Sequence, residues 1–277
     1  MATALSLIRE ADNLIPVNGD YESYCKAKIN ILTNAIELEP NNSTAYYNRG
    51  FSHYALKNYT QAISDFTKAI EFDPEDDEPY RGRGTVYNDI GEYEKAIDDL
   101  TKAVELNFLW KRRGYWTSGS GYCYDELGKA YYNLKDYERA EDYFTKAIEE
   151  SGFDYDAYYG RGLIYYDLGN YERALADFNK AFDFGFTNNP WSDKSWGEKF
   201  VADYKDKWAL FHQKRGATHY KLKNYVDAVA DFSKAIEYNP DNAEFYDIRG
   251  RAYVALGETD KASADFSKAE NLGYIPK

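Results

Sequence analysis

Small and bulky side chains recur along this chain at fixed spacings. Alanine stands 12 and again 19 residues after each of six glycines, and phenylalanine or leucine stands 16 residues after it. Alternation of small and bulky residues lets two helices approach closely while a ring fills the remaining gap. The glycines are 34, 44, 34, 54 and 34 residues apart, which predicts stacked helix–turn–helix pairs. They are Gly50, Gly84, Gly128, Gly162, Gly216 and Gly250.

Aromatic positions complete the repeat. Tyrosine stands four residues before and three residues after most of the glycines, and Pro40, Pro74 and Pro240 end three repeats. This pattern resembles the tetratricopeptide repeat family. The resemblance implies an all-α, right-handed superhelical solenoid of antiparallel helix pairs, with about 14 helices. It also implies a protein–protein interaction scaffold that binds a peptide or protein segment in its concave groove.

The predicted domain organisation is a single solenoid over residues 1–277. A degenerate repeat is expected at about 3–42, with one extra turn in its second helix. Two inserts are expected at about 109–120 and 189–208, and the helix after the second insert should be unusually long. The six full repeats are expected at 43–76, 77–108, 121–154, 155–188, 209–242 and 243–276.

An arginine precedes five of the six glycines, and an aspartate follows each arginine by 16 residues. The one repeat with Leu127 instead of arginine has Tyr143 instead of aspartate. Because the two positions change together, we predict a partly buried ion pair between the two helices of each repeat. The predicted pairs are Arg49–Asp65, Arg83–Asp99, Arg161–Asp177, Arg215–Asp231 and Arg249–Asp265.

Charge and composition exclude several functions. The net charge is −13, which repels phosphate backbones and anionic lipid, so neither nucleic acid nor membrane is an expected partner. No apolar run approaches the roughly 18 residues of a spanning helix, and the N-terminus lacks the pattern of a secretory signal. Cys25 and Cys123 form no ligand cluster. We expect free thiols and a cytoplasmic location.

Catalytic, metal and cofactor signatures are missing from the sequence. His53, His212 and His219 occupy positions that are tyrosine in the other repeats, which favours packing over catalysis or zinc binding. The Gly-x-Gly pairs at 82–84 and 160–162 lie inside predicted helices, so they are not phosphate loops. We therefore predict a protein that is not an enzyme and has no cofactor and no metal.

The first helix of each repeat should line the concave face. Rigid amphipathic rings interspersed with charges of both signs favour an extended or helical peptide as ligand. Tyrosine is ordinary at one of these positions in the family, so its presence there does not prove a contact. The candidate groove residues are Tyr47, Phe51, Tyr54, Arg81, Asn88, Asp125, Lys129, Tyr132, Tyr159, Tyr166, Tyr220 and Arg251.

All five tryptophans lie in or beside the inserts, and the second insert carries aromatics at four-residue intervals. Such a stripe must either fold back on the solenoid or meet a partner. The alternative function is accordingly a self-associating or co-chaperone-like adaptor, with a homodimer possible through the inserts. The candidate interface residues are Trp110, Arg112, Arg113, Trp116, Trp191, Trp196, Phe200, Tyr204 and Trp208.

Some co-chaperones of this family hold the C-terminal carboxylate of a chaperone tail with five Lys, Arg and Asn side chains. Here Arg9, Asn13 and Asn48 occupy the first three of those positions, but Glu78 and Gly82 occupy the last two. A carboxylate at residue 78 would repel the tail. The resemblance therefore does not extend to this mode of binding.

Overall fold

The computed structural model describes residues 3–16, 20–112, 120–151, 154–187 and 198–275; of the helical residues 110–112, 186–187 and 198–204 only the backbone is described. Regular structure in these ranges consists of fourteen α-helices, which confirms the predicted all-α fold. The chain divides into two compact units, Met1–Ala157 and Tyr158–Lys277.

Unit 1 is built from helix pairs in which consecutive helices pack on each other. Its first pair, α1 and α2, lies where the degenerate repeat is predicted, and α2 has 18 residues where α4 has 14, which is one helical turn more. Thr3 and Asp20 cap these two helices by accepting backbone hydrogen bonds. The helices are α1 (Ala4–Asp12), α2 (Tyr21–Leu38), α3 (Ser43–Ala55), α4 (Tyr59–Phe72), α5 (Asp77–Asp89), α6 (Tyr93–Arg112), α7 (Ser120–Asn133) and α8 (Tyr137–Ser151).

Helix α9 begins at the end of unit 1, and its greater part lies in unit 2. Helix α11 has 24 residues, which confirms the long helix expected after the second insert. The helices are α9 (Tyr155–Asp167), α10 (Tyr171–Thr187), α11 (Glu198–Lys221), α12 (Tyr225–Tyr238), α13 (Ala243–Ala255) and α14 (Thr259–Asn271).

A left-handed residue ends the first helix of most repeats. The backbone of Lys57 has φ of 60°, and Gly91 occupies the same turn one repeat later with φ of 81°. Around Lys57, the amide of Asn58 donates to the carbonyl of His53 at 2.9 Å, and the amide of Lys57 donates to that of Tyr54 at 2.8 Å. These two bonds form a Schellman cap. The cap turns the chain sharply, so that the second helix packs back on the first.

The core of each helix pair joins the glycine of its first helix to the bulky residue 16 positions later. A Cβ added at Gly128 would lie 2.7 Å from the ring of Phe144, and one at Gly84 would lie 2.8 Å from Leu100. The alanines at the two flanking positions are fully or almost fully buried in all six repeats. The predicted small-and-bulky contact is therefore the contact that holds the two helices together.

Each predicted arginine contacts its aspartate in a two-pronged arrangement. In the second full repeat, Nε and Nη2 of Arg83 donate to the two carboxylate oxygens of Asp99 at 2.7 and 2.8 Å, and Nη1 donates to Thr67 at 2.9 Å. The other four pairs show the same geometry at 2.7–2.9 Å. The five aspartates are 3–7% exposed, so these ion pairs are largely shielded from water.

The repeat without the ion pair replaces it with an aromatic stack. Leu127 is buried, and the ring of Tyr143 lies parallel to that of Tyr131 at a centroid distance of 5.4 Å. The guanidinium of Arg139 covers the ring of Tyr131 at 4.3 Å. An apolar and aromatic pair therefore occupies the position of the charged one.

Candidate functional site

The first helices α3, α5 and α7 of unit 1 form a pocket of about 320 Å³. Four of the predicted groove residues line it: Tyr47, Phe51, Tyr54 and Arg81. They come together because their positions recur at helical intervals on the first helices of adjacent repeats. The remaining lining residues are Phe66, Gly82, Thr85 and Tyr122.

The walls of this pocket are mainly aromatic. Phe51 is 54% exposed and Tyr122 is 45% exposed, so both present apolar surface to solvent. Tyr47 packs on the buried ring of Phe66 at 5.9 Å, and the Arg81 guanidinium lies 5.8 Å from the Tyr122 ring. Such rings supply a large apolar contact at low cost in side-chain entropy.

Hydrogen bonds fix the polar groups around the pocket. The Tyr54 hydroxyl donates to Asp89 at 2.9 Å, and the hydroxyls of Thr85 and Tyr122 lie 3.2 Å apart. Burial raises the pKa of Tyr54, and the neighbouring Asp89 raises it further; burial also raises the pKa of Tyr122 to about 12. Both phenols therefore stay neutral at physiological pH.

A polar cluster adjoins the pocket on α5 and α7. The Asn88 amide donates to the backbone carbonyl and the carboxylate of Glu126, both at 2.9 Å. Lys129 Nζ lies 2.5 Å from Asp125 and 2.9 Å from Glu126. Burial raises the pKa of Asp125 to about 7, although Lys129 opposes the shift. The predicted residues Asn88, Asp125 and Lys129 are thus brought together.

The other predicted groove residues do not line this pocket, and each contacts residues near it. Tyr159 packs on Phe178 and Phe211, and Tyr220 packs on Tyr225. Tyr132 and Tyr166 likewise pack on the first tyrosine of the following helix, at 5.8 and 5.6 Å. Arg251 donates to Asp247 at 2.8 Å, and both residues line a second pocket of about 410 Å³ on α13 and α14.

Sequence reasoning missed Tyr122 and Glu126 as neighbours of the groove. Tyr122 lies six residues before Gly128, one helical turn ahead of the positions considered. Extending the i, i+3, i+4 series of each first helix by one turn would have included Tyr122. No sequence signal distinguishes Glu126 from the other acidic residues, because only the packing of α5 on α7 brings it to Asn88.

The insert residues fall largely outside the described part of the chain. Arg113, Trp116, Trp191 and Trp196 lie outside the described residues, and only the backbone is described at Trp110, Arg112, Phe200 and Tyr204. Trp208 is 3% exposed and packs on Phe182, Phe211 and His212. It therefore offers little surface to a partner, and self-association through the inserts stays a prediction.

The three histidines pack within their helix pairs. His212 Nδ1 lies 2.7 Å from Asp231, and His53 and His219 lie 4.0 and 3.9 Å from the aspartates of their own repeats. Burial lowers the pKa of His53 and His219, outweighing the aspartates. Within the described residues, no group of three or more His, Cys, Asp or Glu side chains could hold a metal ion.

These two histidines should make stability depend on pH. Because their folded pKa values lie below 6.5, the unfolded chain binds more protons, and stability falls as pH drops below 6.5. Replacing both with tyrosine, His53→Tyr and His219→Tyr, should reduce the loss of unfolding free energy between about pH 7 and pH 5. Urea denaturation at each pH measures the difference, and equal slopes for both proteins would contradict it.

Comparison with known proteins identifies the class. Models described as tetratricopeptide repeat match residues 43–76, 82–108, 126–185, 209–242 and 243–272, together more than half of the chain. The chain belongs to the tetratricopeptide repeat family, as the sequence pattern predicted. The fold is that of protein–protein interaction scaffolds, and repeat proteins of this family are generally not enzymes. No helix in the described ranges is both long and apolar enough to cross a membrane.

Curated relatives are similar over short segments. Hsc70-interacting protein 1 of Drosophila melanogaster is 41% identical over 66 residues, covering 24% of this chain and 18% of that protein. The TPR repeat-containing thioredoxin TDX of Arabidopsis thaliana is 33% identical over 66 residues, covering 24% and 17%. The match thus spans less than a fifth of either relative.

Solved structures show the same fold over almost the whole chain. The hetero-tetramer Cut9–Hcn1 of the APC/C contains a chain that matches with a TM-score of 0.69 and 16% identity, over 98% of this chain and 48% of that one. A tetratricopeptide repeat protein from Parabacteroides merdae ATCC 43184 matches with a TM-score of 0.61 and 21% identity, over 98% and 93%.

Proposed function

We propose that this chain is a non-enzymatic scaffold that binds a peptide or protein segment along the first helices of its repeats. The observation that carries the proposal is the aromatic pocket of unit 1, lined by Tyr47, Phe51, Tyr54, Arg81 and Tyr122. Its volume of about 320 Å³ accommodates one or two side chains. Exposed rings around a recess are typical of residues that anchor a protein ligand.

The same proposal includes a cytoplasmic location. Cys25 and Cys123 are both buried and both free, and burial raises the pKa of the Cys123 thiol to about 12. Buried free thiols are typical of proteins kept in a reducing compartment.

Chaperone binding is not part of the proposal. The relative from Drosophila melanogaster is named for its interaction with Hsc70, but Glu78 and Gly82 stand where a carboxylate-binding groove needs basic residues. The Glu78 side chain is 51% exposed and lies 3.4 Å from Arg81, so it reduces the positive charge available there.

The test compares two variants of equal exposure. A phage-displayed library of random peptides is selected on the wild-type chain, on Phe51→Ser and on Leu38→Ser, whose native side chains are both 54% exposed. Leu38 ends α2 and does not line the pocket. Peptides enriched by the wild type should bind Phe51→Ser about tenfold or more weakly, since an apolar contact of a few kcal/mol is lost. They should bind Leu38→Ser within about twofold of wild type.

Two results would refute this proposal. One is a wild-type selection that enriches no peptide family. The other is an enriched family that binds Phe51→Ser and Leu38→Ser equally well, since the pocket would then contribute nothing.

A further inference from the structure

The polar cluster next to the aromatic pocket has a surplus of hydrogen-bond acceptors. Its charged members on α5 and α7 are three carboxylates, Asp89, Asp125 and Glu126, and one ammonium, Lys129. Burial alone would lower the pKa of Lys129, but Asp125, Glu126 and Asp156 raise it well above its ordinary value. Lys129 is therefore fully charged and already shared between Asp125 and Glu126.

Two buried oxygens in the cluster have no donor. These are Oδ1 of Asn88 and Oδ1 of Asp125, and the Asp125 residue is only 4% exposed. Both Asn88 amide hydrogen bonds go to Glu126. The Oδ1 atom of Asn88 can therefore only accept a hydrogen bond, as can that of Asp125 when its carboxyl is ionised, and a buried acceptor without a donor is unfavourable. Both oxygens are buried, so a ligand does not contact them directly, but a positive charge placed beside the cluster would be attracted to its carboxylates.

Asp89 links the cluster to the pocket and is exposed to solvent. Asp89 accepts a hydrogen bond from the hydroxyl of Tyr54, which lines the pocket. It also interacts electrostatically with Glu126 and with the cations Lys129 and Lys57. A carboxylate that is accessible at the rim of an aromatic recess can pair directly with a cation entering beside that recess.

We infer that the ligand of this site is a peptide with an apolar anchor residue and a lysine or arginine close to it. The anchor occupies the recess between Phe51, Tyr54 and Tyr122, and the basic side chain pairs with Asp89 in front of the Asp125–Glu126 carboxylates. Since a strand rises about 3.3 Å per residue, the two lie within about three positions of each other. The chain's net charge of −13 attracts such a peptide over a longer range. This inference rests on the proposed function of the pocket.

The test first determines the charge of the selected peptides and then measures their binding after the charge of Asp89 is removed. Peptides enriched by the wild type should carry lysine or arginine within about three positions of an apolar residue. Asp89→Asn keeps an oxygen for the Tyr54 hydroxyl, and at low ionic strength it should weaken binding of those peptides about tenfold. The control Asp98→Asn removes the same charge from an exposed residue of α6 and should change binding less than about twofold.

The outcomes separate this inference from the proposed function. Enriched peptides that are acidic or uncharged, yet still lose affinity with Phe51→Ser, would overturn the basic ligand and leave the pocket's function intact. Basic peptides that bind Asp89→Asn and Asp98→Asn equally well would overturn the role of Asp89 and its carboxylate cluster. If no peptide is enriched, or if the enriched peptides bind Phe51→Ser as tightly as wild type, both the proposed function and this inference are overturned.

Discussion

Replacing Arg83 with leucine should lower the free energy of unfolding by about 3–5 kcal/mol, because the substitution strands the carboxylate of Asp99. That residue is 7% exposed and receives two charge-assisted hydrogen bonds from Arg83. Without the guanidinium, neither bond has a donor, and the charge loses its counterion in a site that water barely reaches. Urea denaturation followed by far-UV circular dichroism measures the loss.

The chain supplies the matched control for this substitution. In the double variant Arg83→Leu/Asp99→Tyr, the helix pair carries the residues found naturally at Leu127 and Tyr143. The neighbours of that natural pair are also present, since Tyr87 and Lys95 stand where Tyr131 and Arg139 do. The double variant should recover most of the lost stability. A double variant no more stable than Arg83→Leu, or a single variant as stable as wild type, would contradict a buried ion pair.

Replacing Gly128 with alanine should lower the free energy of unfolding by about 1–3 kcal/mol. The added Cβ would lie 2.7 Å from two ring carbons of Phe144 and 2.9 Å from a third. The Phe144 ring is 1% exposed in a close-packed interior, so relieving the clash requires the ring or the two helices to shift. The strain exceeds the roughly 1 kcal/mol that alanine contributes as a better helix former.

Gly121 is the control in the same helix. A Cβ there would have its nearest neighbour at 3.7 Å, which is ordinary van der Waals contact. Gly121→Ala should therefore leave stability unchanged or slightly higher. Equal destabilisation by the two substitutions, measured by the same urea titration, would show that close helix approach is not what Gly128 provides.

Much of the fold could be predicted from the sequence because the same pairs of contacting residues recur at the same spacing in each repeat. A single glycine sixteen residues before a phenylalanine would mean little, but five such copies and a sixth with leucine, all in register, identify a packed pair of helices. The joint change at Leu127 and Tyr143 likewise indicated that the arginine and aspartate positions depend on each other. The structure brings each of these arginines to its aspartate.

The candidate site could be predicted only in part. Tyr47, Phe51, Tyr54 and Arg81 line one pocket, as helical spacing on adjacent repeats suggested. Tyr159 has the same position in its repeat as Tyr47, yet its ring also packs on Phe211 of α11. The two tyrosines differ in the residues that the following helices place against their rings. The position of a residue within its own repeat does not specify those neighbours.

By itself, the sequence determined the period, the helix pairs, the glycine contacts and the pairing of arginine with aspartate, because these interactions are local to each repeat of this chain. Only the tertiary structure decided where a recess remains open and which polar atoms beside it lack a donor. Those properties depend on three helices at once: Tyr54 on α3, Asp89 on α5, and Tyr122 with Glu126 on α7. Residues on α3 and α7 are far apart in the chain, so only packing sets their distances and their exposure to water.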